Sequence, residues 1–263
     1  YPLISSALGS PVTVGAPYFQ MTFVPMTFPI LCFLPFIPWL GWQKTNLVTV
    51  AGKVLPSLTF SGFLVILLWY GGEIKTIKEI GFCWIALWII ISTLLSLKYS
   101  KLTWRFIGIA LAHGGIAIAI LGMVLSSAKE QEHIKALQVG EKFEVAGIKL
   151  KLDKVMSIEG PNYIAQQAYI SLAKNDRAIT TLTPEKRFYW TQKIIHGETA
   201  IHSTWLSHIY VALGEQYENN IWSLRIYYKP HINLLWLGMI CIAVAGLIFC
   251  RTKKGMACIA LFL

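Results

Sequence analysis

The run "WRFIGIALAHGGIAIAILGMVLSS" extends from Trp104 to Ser127, and among its twenty residues from Phe106 to Leu125 the one ionisable side chain is His113. Twenty apolar residues rising about 1.5 Å each match the roughly 30 Å of a bilayer's hydrocarbon, which puts this imidazole at membrane depth. An ionisable group there is costly and usually faces a bundle interior. Imidazole is tolerated better than a permanent charge because its neutral form is accessible near pH 7. Three chemistries stay open for it. It can pack as a neutral, hydrogen-bonded side chain. It can relay protons, which calls for an acidic or second polar group, and the spans offer only cysteines and edge tyrosines. It can ligate haem iron, which takes one imidazole per helix and space beside it for a flat macrocycle. On a 3.6-residue helix Ala110, Gly114 and Ala117 lie on or beside the His113 face, while Gly108, Gly115 and Gly122 repeat every seven residues on another side. Small residues admit a neighbouring backbone and equally admit a porphyrin, so spacing does not separate the two.

Other residue groups suggest further chemistry. His196, Glu198, His202 and His208 lie close together in sequence, but H-x-E-x-x-x-H is not the zinc-protease H-E-x-x-H, which sets two histidines one helical turn apart. On strands and loops these side chains need not converge, and surface histidines are the plainer reading. "PEKR", Pro184 to Arg187, places Lys186 and Arg187 beside Phe188, Tyr189 and Trp190. Two cations there suit carboxylates, such as haem propionates or a partner's acids; a structural turn with solvated charges is the alternative. His231 follows Lys229 and Pro230 at a membrane edge and reads as interfacial.

The elements that must carry these residues are mostly membrane spans. The chain is 55% hydrophobic and 14% charged, against about 25% charged for an ordinary soluble domain. Besides the His113 segment, spans are expected at Phe19 to Trp42, Val54 to Tyr70 with a partly polar start from Val48, Ile80 to Leu97, and Ile232 to Cys250. Pro25, Pro29, Pro35 and Pro38 should interrupt the first, which requires neighbours to satisfy the freed carbonyls. The net charge of +10 is not a nucleic-acid footprint, because between Ala128 and Pro230 there are 13 Lys/Arg against 11 Asp/Glu. The excess lies at membrane edges: Lys44 and Lys53, then Lys98, Lys101 and Arg105, then Arg251, Lys253 and Lys254. The positive-inside rule puts these groups on the cytoplasmic side, or its organellar equivalent, and the segment from about Ala128 to Lys229 outside.

The expected architecture is a polytopic α-helical membrane protein of about five spans, with a β-rich extracytoplasmic domain inserted before the last. The divisions are a four-span region over 1–127, a β-rich domain over 128–230, a final helix over 231–250 and a short cytoplasmic tail over 251–263. In the β-rich segment "FEVAGIKLKLDKV" alternates with period two, "NYIAQQAYISLA" and "RAITTLT" flank the turn pair Asn175-Asp176, and "HIYVALG" and "IWSLRIYYKP" read as later strands. None of the five cysteines falls in this domain, so it has no structural disulfide. The first residues, opening on Tyr1, do not read as a signal peptide, and a piece of something longer is expected.

Several ordered stretches resemble the C-terminal part of CcmF, the cytochrome c maturation protein F or haem lyase family. They are "YPLISSALGSPVTVGAPYFQMTFVPMTFPI", "RFIGIALAHGGIAIAILG", "LTPEKRFYW", "ETAI", "IYVALGE", "WSLRIYYKP" and "LLWLGMICIAVAGLIFCR". The resemblance implies covalent attachment of haem to the C-x-x-C-H site of apocytochrome c. It also implies a b-type haem held between two membrane histidines, one of them matching His113. The partners it implies are the N-terminal part of the lyase, apocytochrome c, a haem-delivering chaperone and a thiol-reducing maturation partner. The membrane it implies is the bacterial inner membrane or, alternatively, the mitochondrial one. The family's WWD signature, its outward-facing substrate-haem histidines and its other membrane histidine are not found here, so substrate haem would be held mainly by the N-terminal portion and this chain alone would be inactive. His208 stands where the family commonly has Asp. A transporter or membrane-anchored binding protein is a competing reading, without an inverted repeat or intramembrane carboxylate to support it. A non-catalytic assembly scaffold is another.

Overall fold

The computed structural model describes residues 15–40, 46–99, 101 and 103–251, with single positions 7 and 9. Trp42, Lys44, Lys253, Lys254 and Cys258 lie outside the described residues. The chain divides into two compact units, one formed by residues up to Val124 together with those from Trp236, the other by Leu125–Leu235.

The first unit is helical. Helices α1 (Ala16–Phe33), α2 (Leu47–Tyr70), α3 (Ile77–Tyr99), α4 (Trp104–Lys129) and α5 (Ile232–Arg251) are each, with the 3-10 segment that extends α1, long and apolar enough to cross a membrane. Asn46 caps α2, which takes in the expected partly polar start from Val48, and its side chain accepts from the Val48 N–H at 3.0 Å. Pro25 and Pro29 pass inside α1, and the helix then tightens into a 3-10 turn over Leu34–Trp39 that holds Pro35 and Pro38. Pro38 has no N–H, so the i+3 donor that a 3-10 turn would bring to the Pro35 carbonyl is missing. Ser92 of α3 supplies it at 2.5 Å, while its oxygen accepts from the Trp39 indole N–H at 2.8 Å. The freed carbonyl is thus satisfied from within this chain. Trp88 donates to Ser57 of α2 at 3.1 Å, and Lys53 lies over the rings of Trp39 and Tyr99, 5.2 and 5.4 Å from their centres.

The second unit is an antiparallel sandwich. One sheet has the order β1-β10-β9-β8, with β1 (Gln131–Gln138), β10 (Ile221–Lys229), β9 (His208–Gln216) and β8 (Ala200–Ser203). The other runs β2-β3-β4-β6-β7, with β2 (Lys142–Val145), β3 (Ile148–Glu159), β4 (Tyr163–Lys174), β6 (Glu185–Tyr189) and β7 (Ile194–Glu198). The twelve-residue β4 serves two partners along one edge, β6 against its first half and β5 (Arg177–Leu182) against its second. Leu150, Leu152, Ile170 and Leu172 from one sheet meet Val211, Leu224 and Ile226 from the other in one buried core. Asn175 and Asp176 turn β4 into β5 with φ of 51° and 59°, the left-handed pair that a two-residue hairpin requires.

Four strands, β1, β6, β7 and β8, were not legible in the residue pattern. β1 falls in the polar stretch "QEHIKALQ", where among its eight residues Leu137 alone is buried; it is an edge strand whose structure comes from pairing in register with β10. "PEKR" is not a turn: Glu185 opens strand β6, which is paired on both sides by β4 and β7.

Ser92→Ala removes a donor and an acceptor together, leaving the Pro35 carbonyl and the Trp39 indole unpaired at membrane depth. The expected cost is about 1–2 kcal/mol in detergent unfolding of the purified chain; an unchanged transition would show that Ser92 does not replace the missing donor.

Candidate functional site

Thr103 caps α4, its hydroxyl accepting from the Phe106 N–H at 3.3 Å and its carbonyl from the Ile107 N–H at 2.9 Å. The helix then runs through His113 without interruption. Its packing against α5 is decided by glycine. A β-carbon at Gly115 would lie 2.7 Å from the Gly238 carbonyl oxygen and 2.9 Å from Ile242; one at Gly238 would collide with Gly115 and Ala119. One at Gly108 would come within 3.1 Å of the Phe249 ring. Gly108 and Gly115 are therefore a seam against α5, so a neighbouring backbone, not a macrocycle, uses that face.

At about 100° per residue, His113 lies roughly 160° around α4 from Gly115, nearly opposite the seam. It is half-buried, with Ala117 one turn onward fully enclosed. A β-carbon at Gly114, about 100° around the helix from His113, would meet nothing within 4 Å, so that side of α4 is open. His113 Nδ1 is 2.8 Å from the Ile109 carbonyl oxygen. A carbonyl only accepts, so Nδ1 carries a hydrogen, and in the neutral imidazole Nε2 then keeps its lone pair. This is the tautomer that a metal-ligating imidazole adopts, its second nitrogen anchored by a backbone carbonyl. The donor and the space beside it fit one axial ligand of a haem.

The other candidates stand in the sandwich and do not gather. No group of three or more His, Cys, Asp or Glu positioned for a metal occurs among the described residues. His202 pairs with the core residue Ile209, whereas His208 pairs with Ser203 and reaches Tyr210 Oη at 3.1 Å. Paired residues share a sheet face and neighbours alternate, so His202 and His208 point to opposite sides of one sheet. His196 and Glu198 are on β7 of the other sheet. His231, at φ 56°, links β10 to α5, and its carbonyl accepts from the Leu234 N–H at 3.0 Å.

Lys186 and Arg187 project to opposite faces of β6, and both already hold carboxylates. Lys186 pairs with Glu215 at 2.5 Å; Arg187 pairs with Glu185 at 2.7 Å and Glu198 at 3.2 Å and stacks over Tyr163, 4.7 Å from the ring centre. The hydrogen bond to Glu185 raises the guanidinium's pKa further. Lys186 and Glu215 border a cleft of about 330 Å³ whose wall includes Ile164, Phe188, Ile195 and Trp222. The sequence offered no sign of this cleft, because its wall is assembled from five strands of two sheets.

Residues 128–230 match the CcmF C-terminal beta-sandwich family. Similar proteins include the cytochrome c-type biogenesis protein CcmF of Pseudomonas aeruginosa, 30% identical over 259 residues, which span 94% of this chain and 39% of the relative. Another is the cytochrome c-type biogenesis protein ccl1 of Rhodobacter capsulatus, 28% identical over 89% of this chain and 37% of the relative. A solved structure, the cytochrome c haem lyase CcmF, shares the fold with a TM-score of 0.71 at 17% identity, over 94% of this chain and 42% of that one. The chain thus spans about two fifths of the length of these relatives.

Two adjacent glycines separate seam from open face. Gly115→Ala should destabilise by about 1–3 kcal/mol through overpacking against Gly238. Gly114→Ala should be neutral or stabilising by up to about 1 kcal/mol, the helix preference of alanine. Detergent unfolding of both variants beside the parent measures the contrast, and equal effects would contradict the assigned faces.

Proposed function

We propose, from the premise that the chain belongs to the CcmF family and spans its C-terminal part, that it is a membrane component of a cytochrome c haem-attachment machine. Its own contribution is one axial ligand, His113, to a b-type haem held within the membrane. The observation that carries this reading is the hydrogen bond from Nδ1 to the Ile109 carbonyl, which leaves Nε2 free on the face of α4 opposite the α5 seam. A haem bound there supplies an electron-transfer centre at membrane depth. The chain's residues hold the imidazole in one tautomer and one orientation, and the glycine seam sets which way the helix turns that face. The N-terminal part of the lyase would supply the opposing ligand and the surface for substrate haem.

In this reading the basic span edges face the cytoplasm of a bacterium, or the matrix of a mitochondrion, and the sandwich lies on the outer side, where apocytochrome c, the haem chaperone and the thiol-reducing partner act. Lys186 is the better placed of the two β6 cations for a propionate or a partner's acid. Its present partner Glu215 is 75% exposed and can be displaced at the rim, whereas Arg187 is held by two carboxylates and a ring.

The test is the reduced-minus-oxidised absorption spectrum of the chain purified with its N-terminal companion, beside His113→Ala. A b-type signal that disappears or shifts in the variant is the expected outcome; a folded complex without haem would return His113 to a packing role. Lys186→Ala is expected to lower cytochrome c yield while leaving that spectrum unchanged, and normal yield would remove Lys186 from the reading.

A further inference from the structure

The turn from β8 to β9 presents Trp205 with 90% of its surface exposed, next to Leu206 at 46%. It is nonetheless tightly built. The Thr204 N–H donates to the Ser207 carbonyl at 2.8 Å, the Ser207 N–H donates to Thr204 Oγ1 at 3.1 Å, and the Thr204 hydroxyl donates back to the Ser207 carbonyl at 2.9 Å. A second clamp comes from α5. The Asn233 side-chain amide donates to the carbonyls of Thr204 and Trp205 at 2.7 and 2.9 Å.

Asn233 is the second residue of α5, so its backbone lies within about 1.5 Å along the axis of the point where that helix begins. The helix is long and apolar enough to cross a membrane. The backbone on both sides of the Trp205 peptide is therefore tied to the entry point of a span. Thr204, Trp205, Leu206 and Ser207 carry no charge, and the nearest cation along the strand leading into α5, Lys229, pairs with Glu130 at 3.1 Å. An uncharged tip with an exposed indole, held against the first turn of a helix apolar enough to span a membrane, has the chemistry of the layer in which tryptophan concentrates at membrane surfaces. A large aromatic with an N–H suits that layer because its body is apolar while its edge can meet a headgroup or water.

We propose that Thr204–Ser207 is a lipid-anchoring tip: Trp205 and Leu206 insert into the interfacial layer of the membrane that α5 crosses, and Asn233 sets their depth. The occupant of this surface is lipid. The proposal rests on the membrane reading of α5 and is independent of haem binding.

The full chain, labelled with 5-fluorotryptophan and reconstituted in vesicles of phosphatidylethanolamine and phosphatidylglycerol, tests it by fluorine NMR. The Trp205 resonance is the one missing from Trp205→Phe. Lipids bearing a nitroxide near the headgroup end of the acyl chain should broaden it, and a water-soluble gadolinium chelate should not. In Asn233→Ala that lipid broadening should be lost for Trp205 but kept for Trp236 within α5, which shows that the helix remains inserted. Broadening by the gadolinium chelate alone would place the indole in water and overturn the proposal. Protection from both reagents would mean that protein covers Trp205, and would overturn it equally.

Discussion

The approach of α4 to α5 at Gly115 and Gly238 is the contact on which the helical unit's chemistry depends. Lipid is as apolar as leucine, so no hydrophobic force drives two helices together within it, and association comes from close packing and polar contacts. A missing side chain on each helix lets backbone meet backbone. That contact uses up one side of α4. His113, roughly opposite, is kept off the seam by helical geometry alone, and the imidazole then needs only its local carbonyl to settle its tautomer.

The same accounting of backbone polar groups runs through both units. In the membrane, two prolines in one turn leave a carbonyl without its helical donor, and a serine from another helix answers it. Unsatisfied groups in hydrocarbon cost several kcal/mol, so the interruption in α1 and the position of Ser92 on α3 are one feature. In the sandwich, β1 is nearly all exposed and polar, yet pairs over its whole length with β10. The ion pairs Glu132–Arg225 and Glu130–Lys229 add little at such exposure; the ladder of backbone hydrogen bonds makes the strand.

For function, the consequence is a division of labour along the chain. The helical unit offers one well-oriented imidazole with room beside it. The sandwich offers paired charges, a cleft and an exposed aromatic tip. Histidines close in sequence are dispersed by strand alternation, and the two cations of "PEKR" are separated onto opposite faces of β6, so neighbours in sequence acquire different surroundings.

The amino-acid sequence by itself determined the spans, because twenty apolar residues have few other places to go, and the alternating strands β3, β9 and β10, whose side chains record which face is buried. It also marked His113, since an ionisable group at membrane depth stands out against its surroundings. Tertiary structure alone decided which small residues on α4 make contact and which leave space, because Gly114 and Gly115 are chemically identical and differ only in what lies opposite. It decided the strands β1 and β6 as well, whose conformation comes from hydrogen bonds to partners distant in the chain. It decided Trp205 too: exposure is written in no residue type, and the hold on this indole's backbone depends on an amide 28 residues away that grips the peptide on either side of it.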